Sequence, residues 1–194
     1  RRRARRASTP GPSARALAIK VLLRVQKDQA YSHVVLDAEL SRTLLDARDR
    51  RLATRIVYGA LAMQRRLDAR MAPFVRGEPS QKLDPWVLAC LRSAVYQLEH
   101  LDRTPAHAVL NEAVELTKRR CGPKVGGFVN AVLRRIAAAP PPTYTGLPPA
   151  TAFGLRHSLP DEIAARALAE LGADAERWAS SLNVVPPMYV RCNR

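Results

Sequence analysis

The chain has 194 residues, with 32 Lys and Arg against 17 Asp and Glu, a formal net charge of +15, 27 of the cations being Arg. That length suffices for one ample domain, or a domain with an appendage, whose core needs no disulfides, and the charge excess calls for a polyanionic partner, nucleic acid ahead of acidic lipid. Three cysteines, Cys90, Cys121 and Cys192, spaced far apart, exclude a CxxC site and a complete disulfide framework, and the absence of a long apolar run excludes a membrane-spanning helix, so a cytoplasmic, reducing setting with no membrane partner is expected.

Residues 1–13, "RRRARRASTPGPS", offer little apolar area to bury and are expected to form a disordered basic tail. From Ala14 the spacing of Leu17, Ala18, Val21, Leu22 and Val25 predicts a first helix capped by Ser13 and ending near Lys27. Ser32 is expected to cap a second helix bearing Val34, Val35, Ala38 and Leu45. Asp49 is expected to cap a longer third one with Leu52, Ile56, Ala60, Met63 and Leu67 on one stripe, stopping before Pro73. A loop, "RGEPSQKLD", follows, and Asp84 with Pro85 forms a cap and first-turn proline for a fourth helix to His100, with Val87, Leu88, Leu91, Val95 and Leu98 inward. Thr104 and Pro105 repeat that signal for a fifth helix with Val109, Leu110, Ala113 and Leu116, broken at Gly122. Pro123 opens a sixth with Val125, Phe128, Val129, Val132 and Ile136.

Proline-rich residues 139–154 read as a linker. Beyond it, short helices are expected from Pro160 and Asp161 to Leu171, and from Asp174 to Leu182 with Trp178 inward, before "VVPPMYV" turns extended. The expected fold class is therefore all-α: a helical domain over residues 14–138, then a small helical connector over residues 155–194. The chain opens on Arg rather than Met and stops at what reads as the start of a strand, so both ends are expected to be cut from something longer.

Several segments carry a specific resemblance. "ARALAIKVL", "LRSAVYQL", "AVLNEAVELTK" and "FVNAVL", with the spacing between the last two, resemble the NusB-like family of helical RNA-binding domains over residues 14–137. The segment "RHSLPDEIAARALAELG" and the later "N-x-x-P-P" and "R-x-N", filled by Asn183, Pro186, Pro187, Arg191 and Asn193, resemble the connector of Sun/RsmB-type ribosomal RNA methyltransferases. The resemblance implies ribosomal RNA as partner, with the protein's own catalytic domain or a ribosomal protein as further partners. It also implies a parent enzyme that makes 5-methylcytosine in small-subunit RNA with S-adenosylmethionine. In that reaction a Cys thiolate adds to carbon six of cytosine, and carbon five then takes the methyl group. No strand with a Gly-rich turn and no Pro-Cys or Thr-Cys pair is present, so no catalytic residue and no cofactor is assigned to this chain. Cys192 fills a position that is usually apolar in the family and is not a nucleophile candidate. The rival readings are a free antitermination factor and a protein docking scaffold.

The candidate RNA contacts are the tail, Arg1, Arg2, Arg3, Arg5 and Arg6; Arg15, which matches a family position; and Lys118, Arg119, Arg120 and Lys124, which should crowd one corner between the fifth and sixth helices. Arg134 and Arg135 read as a solvated face. Asn111 and Asn130 read as buried amides that fix helix register. Glu112 and Glu115 read as a solvated pair, "GPKVGG" as a helix-helix turn rather than a phosphate cradle, and the four dispersed histidines as no metal site. The aromatic residues are too scattered for a stacking platform, so recognition should rest on phosphates and RNA shape.

Overall fold

The computed structural model describes residues 13–75, 82–102 and 104–184, all helix and connecting turns with no strand among them. The chain divides into two compact units, residues 1–142 and 143–194.

The first unit is built around one helix. Helices α1 (Ala14–Asp28), α2 (Ser32–Ser41), α3 (Ala47–Ala62), α4 (Gln64–Val75), α5 (Pro85–His100), α6 (Ala106–Cys121) and α7 (Pro123–Ala138) follow in chain order. Every residue of α5 from Val87 to Gln97 is buried. A helix buried on every side, its polar Arg92 and Gln97 bonded within the fold, belongs in a core, and α5 packs against α1, α3, α4, α6 and α7, while α6 and α7 form a tight hairpin. Local chemistry sets several ends. Ser13 Oγ accepts from the Ala16 N–H at 3.2 Å, and Asp84 Oδ1 accepts from Trp86 N–H at 2.9 Å, ahead of Pro85 in the first turn.

Other ends differ from the sequence expectation. Tyr31, not Ser32, is the N-cap of α2 and makes no side-chain cap bond; Leu45 falls beyond the helix, and Val34 is 56% exposed. Asp46 caps α3, accepting from Asp49 N–H at 2.7 Å, so Asp49 sits in the first turn instead, where its charge still favours the helix dipole. The expected third helix is two: Met63 interrupts it, and α4 then contains Pro73. The apolar phase Ile56, Ala60, Leu67, Met71 runs straight across that interruption, which is why the sequence shows no sign of it. Pro73 lies two residues before Val75, the last described residue of α4, and removes one helical N–H there. Pro105 rather than Thr104 is the N-cap of α6. Phe128 and Asn111 are exposed, one helix step out of the expected phase, so Asn111 sets no buried register; Asn130 is half-buried.

Three buried polar links tie the helices. Arg92 grips Asp68 through two bonds of 2.8 and 2.6 Å. Glu39 is 4% exposed; burial pushes its carboxyl up, but the hydrogen bond and charge of Lys20, then those of Arg24, outweigh it and hold the group below its ordinary 4.5. Arg70 of α4 donates to the carbonyls of Ile136 (2.9 Å), Ala139 (2.9 Å) and Pro140 (2.7 Å) at the end of α7 and forms an ion pair with Glu99. The C-terminus of α7 thus gains a cation, in addition to the Ala139 N–H that the Ile136 carbonyl accepts at 3.2 Å.

Helices α3 and α5 touch through Gly59, where a Cβ would lie 1.9 Å from Tyr96 Cζ. Gly59→Ala should therefore destabilise the unit by about 2–3 kcal/mol, the scale of overpacking a dense core. Thermal melts of the single variant and of the double variant with Tyr96→Leu check this: the second change should recover part of the loss, and full stability in Gly59→Ala would show that the ring moves freely. His100, stacked on Tyr96 at 5.2 Å between centroids, gives a pH dependence. Burial, then the Arg66 charge, push its imidazole below the ordinary 6.5, and its buried Nε2 has no hydrogen-bond partner among the described residues. The unfolded chain accordingly takes up a proton first as pH falls. This stability is complete above about pH 6.5 and is lost as pH drops through the lower folded value. His100→Gln should flatten a stability profile between pH 7 and roughly 5, and an unchanged profile would contradict this assignment.

The second unit contains α8 (Pro149–His157), α9 (Asp161–Leu171), a 3-10 turn (Gly172–Asp174) and α10 (Ala175–Ser181). Helix α8 occupies residues expected as linker; Pro149 is its first residue, where proline's missing N–H costs nothing. The core is small: Phe153, Ala164, Ala167, Ala175 and Ala179, with Trp178 half-buried against it. His157 Nε2 meets Glu176 Oε1 at 2.9 Å, and Arg156 reaches the other oxygen at 3.0 Å. The extended segment expected from Val184 lies, beyond Val184 itself, outside the described residues.

Candidate nucleic-acid interface

The corner expected between the fifth and sixth predicted helices is where α6 meets α7. Helix α6 ends in Lys118, Arg119 and Arg120 at Cys121, Gly122 turns the chain at φ 88°, and Pro123 and Lys124 begin α7. Positive φ is cheap only for glycine, which lets the hairpin close in one residue. Gly126 permits the close approach of the two helices: a Cβ there would lie 2.4 Å from Lys118 Cγ, so the Lys118 stem lies across the first turns of α7.

The four cations are not equivalent. Lys118 Nζ is bonded to Glu115 Oε1 at 2.8 Å, and that bond and charge hold the Glu115 carboxyl below its ordinary 4.5. Arg119, Arg120 and Lys124 are exposed and form no ion pair with any described residue. Three unneutralised cations around one turn, beside the N–H groups opening α7, make a positive surface to which phosphate oxygens are complementary.

Arg15 is placed differently. Its Nε donates to Gln97 Oε1 at 2.6 Å and its Nη1 pairs with Glu112, leaving the side chain 16% exposed. Arg15 therefore links α1 to α5 and α6. Its partner Glu112 is accordingly a structural carboxylate, not half of a solvated pair with Glu115. Arg1, Arg2, Arg3, Arg5 and Arg6 lie outside the described residues. Arg134 and Arg135 are exposed, and Arg135 lies over the Phe74 ring at 5.4 Å. Arg48, Arg51 and Arg55 are all exposed on α3; their spacing of three and four residues is visible in the sequence, beneath the stronger apolar stripe of the same helix.

Nucleophilic chemistry finds no support among the described residues. Burial pushes the Cys90 thiol up to about 12, and its Sγ sits 3.6 Å from Thr117 Oγ1 inside the core. Burial, then the Asp84 charge, also raise Cys121 above its ordinary 9.0. A thiol held protonated is a poor nucleophile. No group of three or more His, Cys, Asp or Glu side chains among the described residues is placed to hold a metal ion, and no described helix is long and apolar enough to cross a membrane.

The NusB family model fits residues 12–138. The chain is 31% identical over 176 residues to a probable ribosomal RNA small subunit methyltransferase B of Bacillus subtilis, covering 90% of this chain and 39% of that protein. It is 37% identical over 189 residues to ribosomal RNA small subunit methyltransferase B of Thermus thermophilus, covering 97% and 42%. The chain thus spans about two fifths of the length of these relatives. It is also 30% identical over 126 residues to transcription antitermination protein NusB of Acetivibrio thermocellus, covering 64% of this chain and 86% of that one. Among solved structures, that of PH0851 superposes with a TM-score of 0.72 at 22% identity, over 94% of this chain and 40% of that one. A structure of antitermination factors NusB and NusE with dsRNA gives 0.59 at 22%, over 64% of this chain and 92% of that one.

Proposed function

This chain belongs to the NusB family, and from that premise we propose that it is the RNA-binding, substrate-positioning part of a small-subunit ribosomal RNA cytosine-5 methyltransferase. The observation that carries the RNA half is the α6–α7 corner, where Arg119, Arg120 and Lys124 stand exposed and unpaired among the described residues. Phosphate contacts of this kind fix register on an RNA without reading bases. The enzyme half rests on the two methyltransferase B relatives, whose similarity runs past the helical domain through nearly the whole of this chain. An antitermination factor such as that of Acetivibrio thermocellus aligns to only 64% of it.

The chemistry would belong to a domain beyond these residues, which would supply S-adenosylmethionine binding and the nucleophilic thiolate. Burial holds the Cys90 and Cys121 thiols above their ordinary 9.0, which makes both poor candidates for that thiolate. Bisulfite sequencing of small-subunit ribosomal RNA from cells with and without the gene tests this function. Loss of one 5-methylcytosine on deletion is the expected result. An unchanged methylation pattern would contradict the enzyme reading and return the chain to the class of free RNA-binding factors.

A further inference from the structure

Helix α3 has one face committed to the core, through Ala53, Ile56, Val57 and Ala60, all at most 1% exposed. Arg48, Arg51, Arg55 and Tyr58 are all exposed, Tyr58 at 43%. At 3.6 residues per turn these four fall within an arc of about 80° and along about 15 Å of the helix axis. We propose that this face is a second RNA contact, in which the three guanidiniums hold successive phosphates of a single strand and the Tyr58 ring stacks on an unpaired base. The proposal rests on the reading of the chain as RNA-binding and adds a site to it.

Three observations support it. None of the three arginines forms an ion pair with a described residue, whereas Arg15, Arg24, Arg70 and Arg92 all do. Like charges three and four residues apart on a helix repel, so the row is unfavourable until an anion meets it. Of the carboxylates closest in sequence, Asp46 is the N-cap, where it accepts from the Asp49 N–H, and Asp49 lies in the first turn. The face is also rigid: Gly59, the residue after Tyr58, packs against the Tyr96 ring, so α3 cannot roll without disturbing the core, and Tyr58 stays turned outward beside Arg55. Arg guanidiniums fork onto phosphate oxygens, and an exposed ring next to them accepts any base. A membrane surface would need more apolar side chains than the single ring that this face offers.

The face is separate from the α6–α7 corner. Helix α3 packs on α1, α2, α4 and α5, whereas α6 packs on α5 and α7. The two contacts therefore make independent contributions, which lets them be tested apart.

The experiment is fluorescence anisotropy of the full 194-residue chain with a labelled single-stranded oligoribonucleotide across a salt series. Circular dichroism would confirm helix content in each variant. The triple variant Arg48→Ala, Arg51→Ala, Arg55→Ala should reduce the log-log salt slope by about 2, at ~0.7 per phosphate, and lower affinity about a hundredfold at 0.1 M salt. Tyr58→Ala should lower affinity roughly tenfold without changing the slope, and Tyr58→Phe should retain affinity, because stacking needs the ring and not the hydroxyl. Unchanged affinity and slope in the α3 variants, with binding still lost on substituting Arg119, Arg120 and Lys124, would overturn this inference and leave the α6–α7 reading standing. No binding by the unsubstituted chain would overturn both.

Discussion

Arg70→Met should lower the melting temperature by about 10 °C or more. The guanidinium is 7% exposed and meets three carbonyls at the end of α7 as well as Glu99 at 2.8 Å. Methionine keeps the aliphatic stem and so isolates the loss of the head group. What remains is a carboxylate that is itself 17% exposed, now without this cation, and the Ala139 and Pro140 carbonyls without the guanidinium, while the Ile136 carbonyl keeps the Ala139 N–H at 3.2 Å. Breaking such a pair from one side costs roughly 3–5 kcal/mol, and each kcal/mol moves the midpoint about 2–4 °C at this size. Arg70→Lys should fall between the two, because one ammonium cannot reach three carbonyls and a carboxylate at once. Differential scanning calorimetry checks the series. A shift under about 3 °C for Arg70→Met would mean that water replaces the guanidinium at little cost.

Replacing Arg119, Arg120 and Lys124 together by Ala should weaken RNA binding about a hundredfold at 0.1 M salt while leaving the melt nearly unchanged. The affinity side follows from three lost phosphate contacts at ~0.7 of log-log slope each, which amounts to about two decades on going from 1 M to 0.1 M. The stability side follows from exposure: all three side chains are in solvent and none has an ion-pair partner among the described residues. At the α6 C-terminus Arg119 and Arg120 each favour the helix dipole by about 0.3–1 kcal/mol, whereas Lys124, in the first turn of α7, opposes it. Lys118→Ala should matter less to RNA, because its ammonium is already held by Glu115. Equal loss on Lys118→Ala and on the triple variant, read by anisotropy, would contradict this ranking.

The contrast between these two predictions shows how much of the molecule was legible in the sequence. The α6–α7 corner could be read because its charges are contiguous in the chain and Gly122-Pro123 marks the turn between them. Helix starts at Ser13 and Asp84 could be read for the same reason, since a cap is chemistry within three residues. Arg70 could not be read, because its carbonyl partners lie 66 to 70 residues away, and nothing in "LDARMAP" distinguishes it from any other helical Arg. Arg15 shows the converse. Its sequence position pointed to RNA, yet the fold gives it Gln97 and Glu112.

Where the sequence reading went astray, the causes are local ambiguity or phase. Asp46 and Asp49 stand three residues apart, and either satisfies the capping pattern; only the backbone geometry decides for Asp46. An apolar stripe broad enough to include Val129 and Val132, or Leu110 and Ala113, reaches one step too far around the helix to Phe128 and Asn111, which the structure leaves exposed. Helix α8 was hidden by the prolines around it, which end most helices but begin this one at Pro149. The basic face of α3 was visible as a 3–4 spacing of Arg but was eclipsed by the stronger apolar signal of the same helix.

The central claim is that this domain binds RNA through its exposed, unneutralised cations, and the salt dependence of binding tests it most directly. Anisotropy with a small-subunit ribosomal RNA fragment, measured between about 50 and 200 mM monovalent salt, should give an affinity that falls linearly on logarithmic axes with a slope of about −2 or steeper. A flat dependence, or no measurable affinity at the low-salt end, would contradict the account and make the helical domain a protein-docking scaffold.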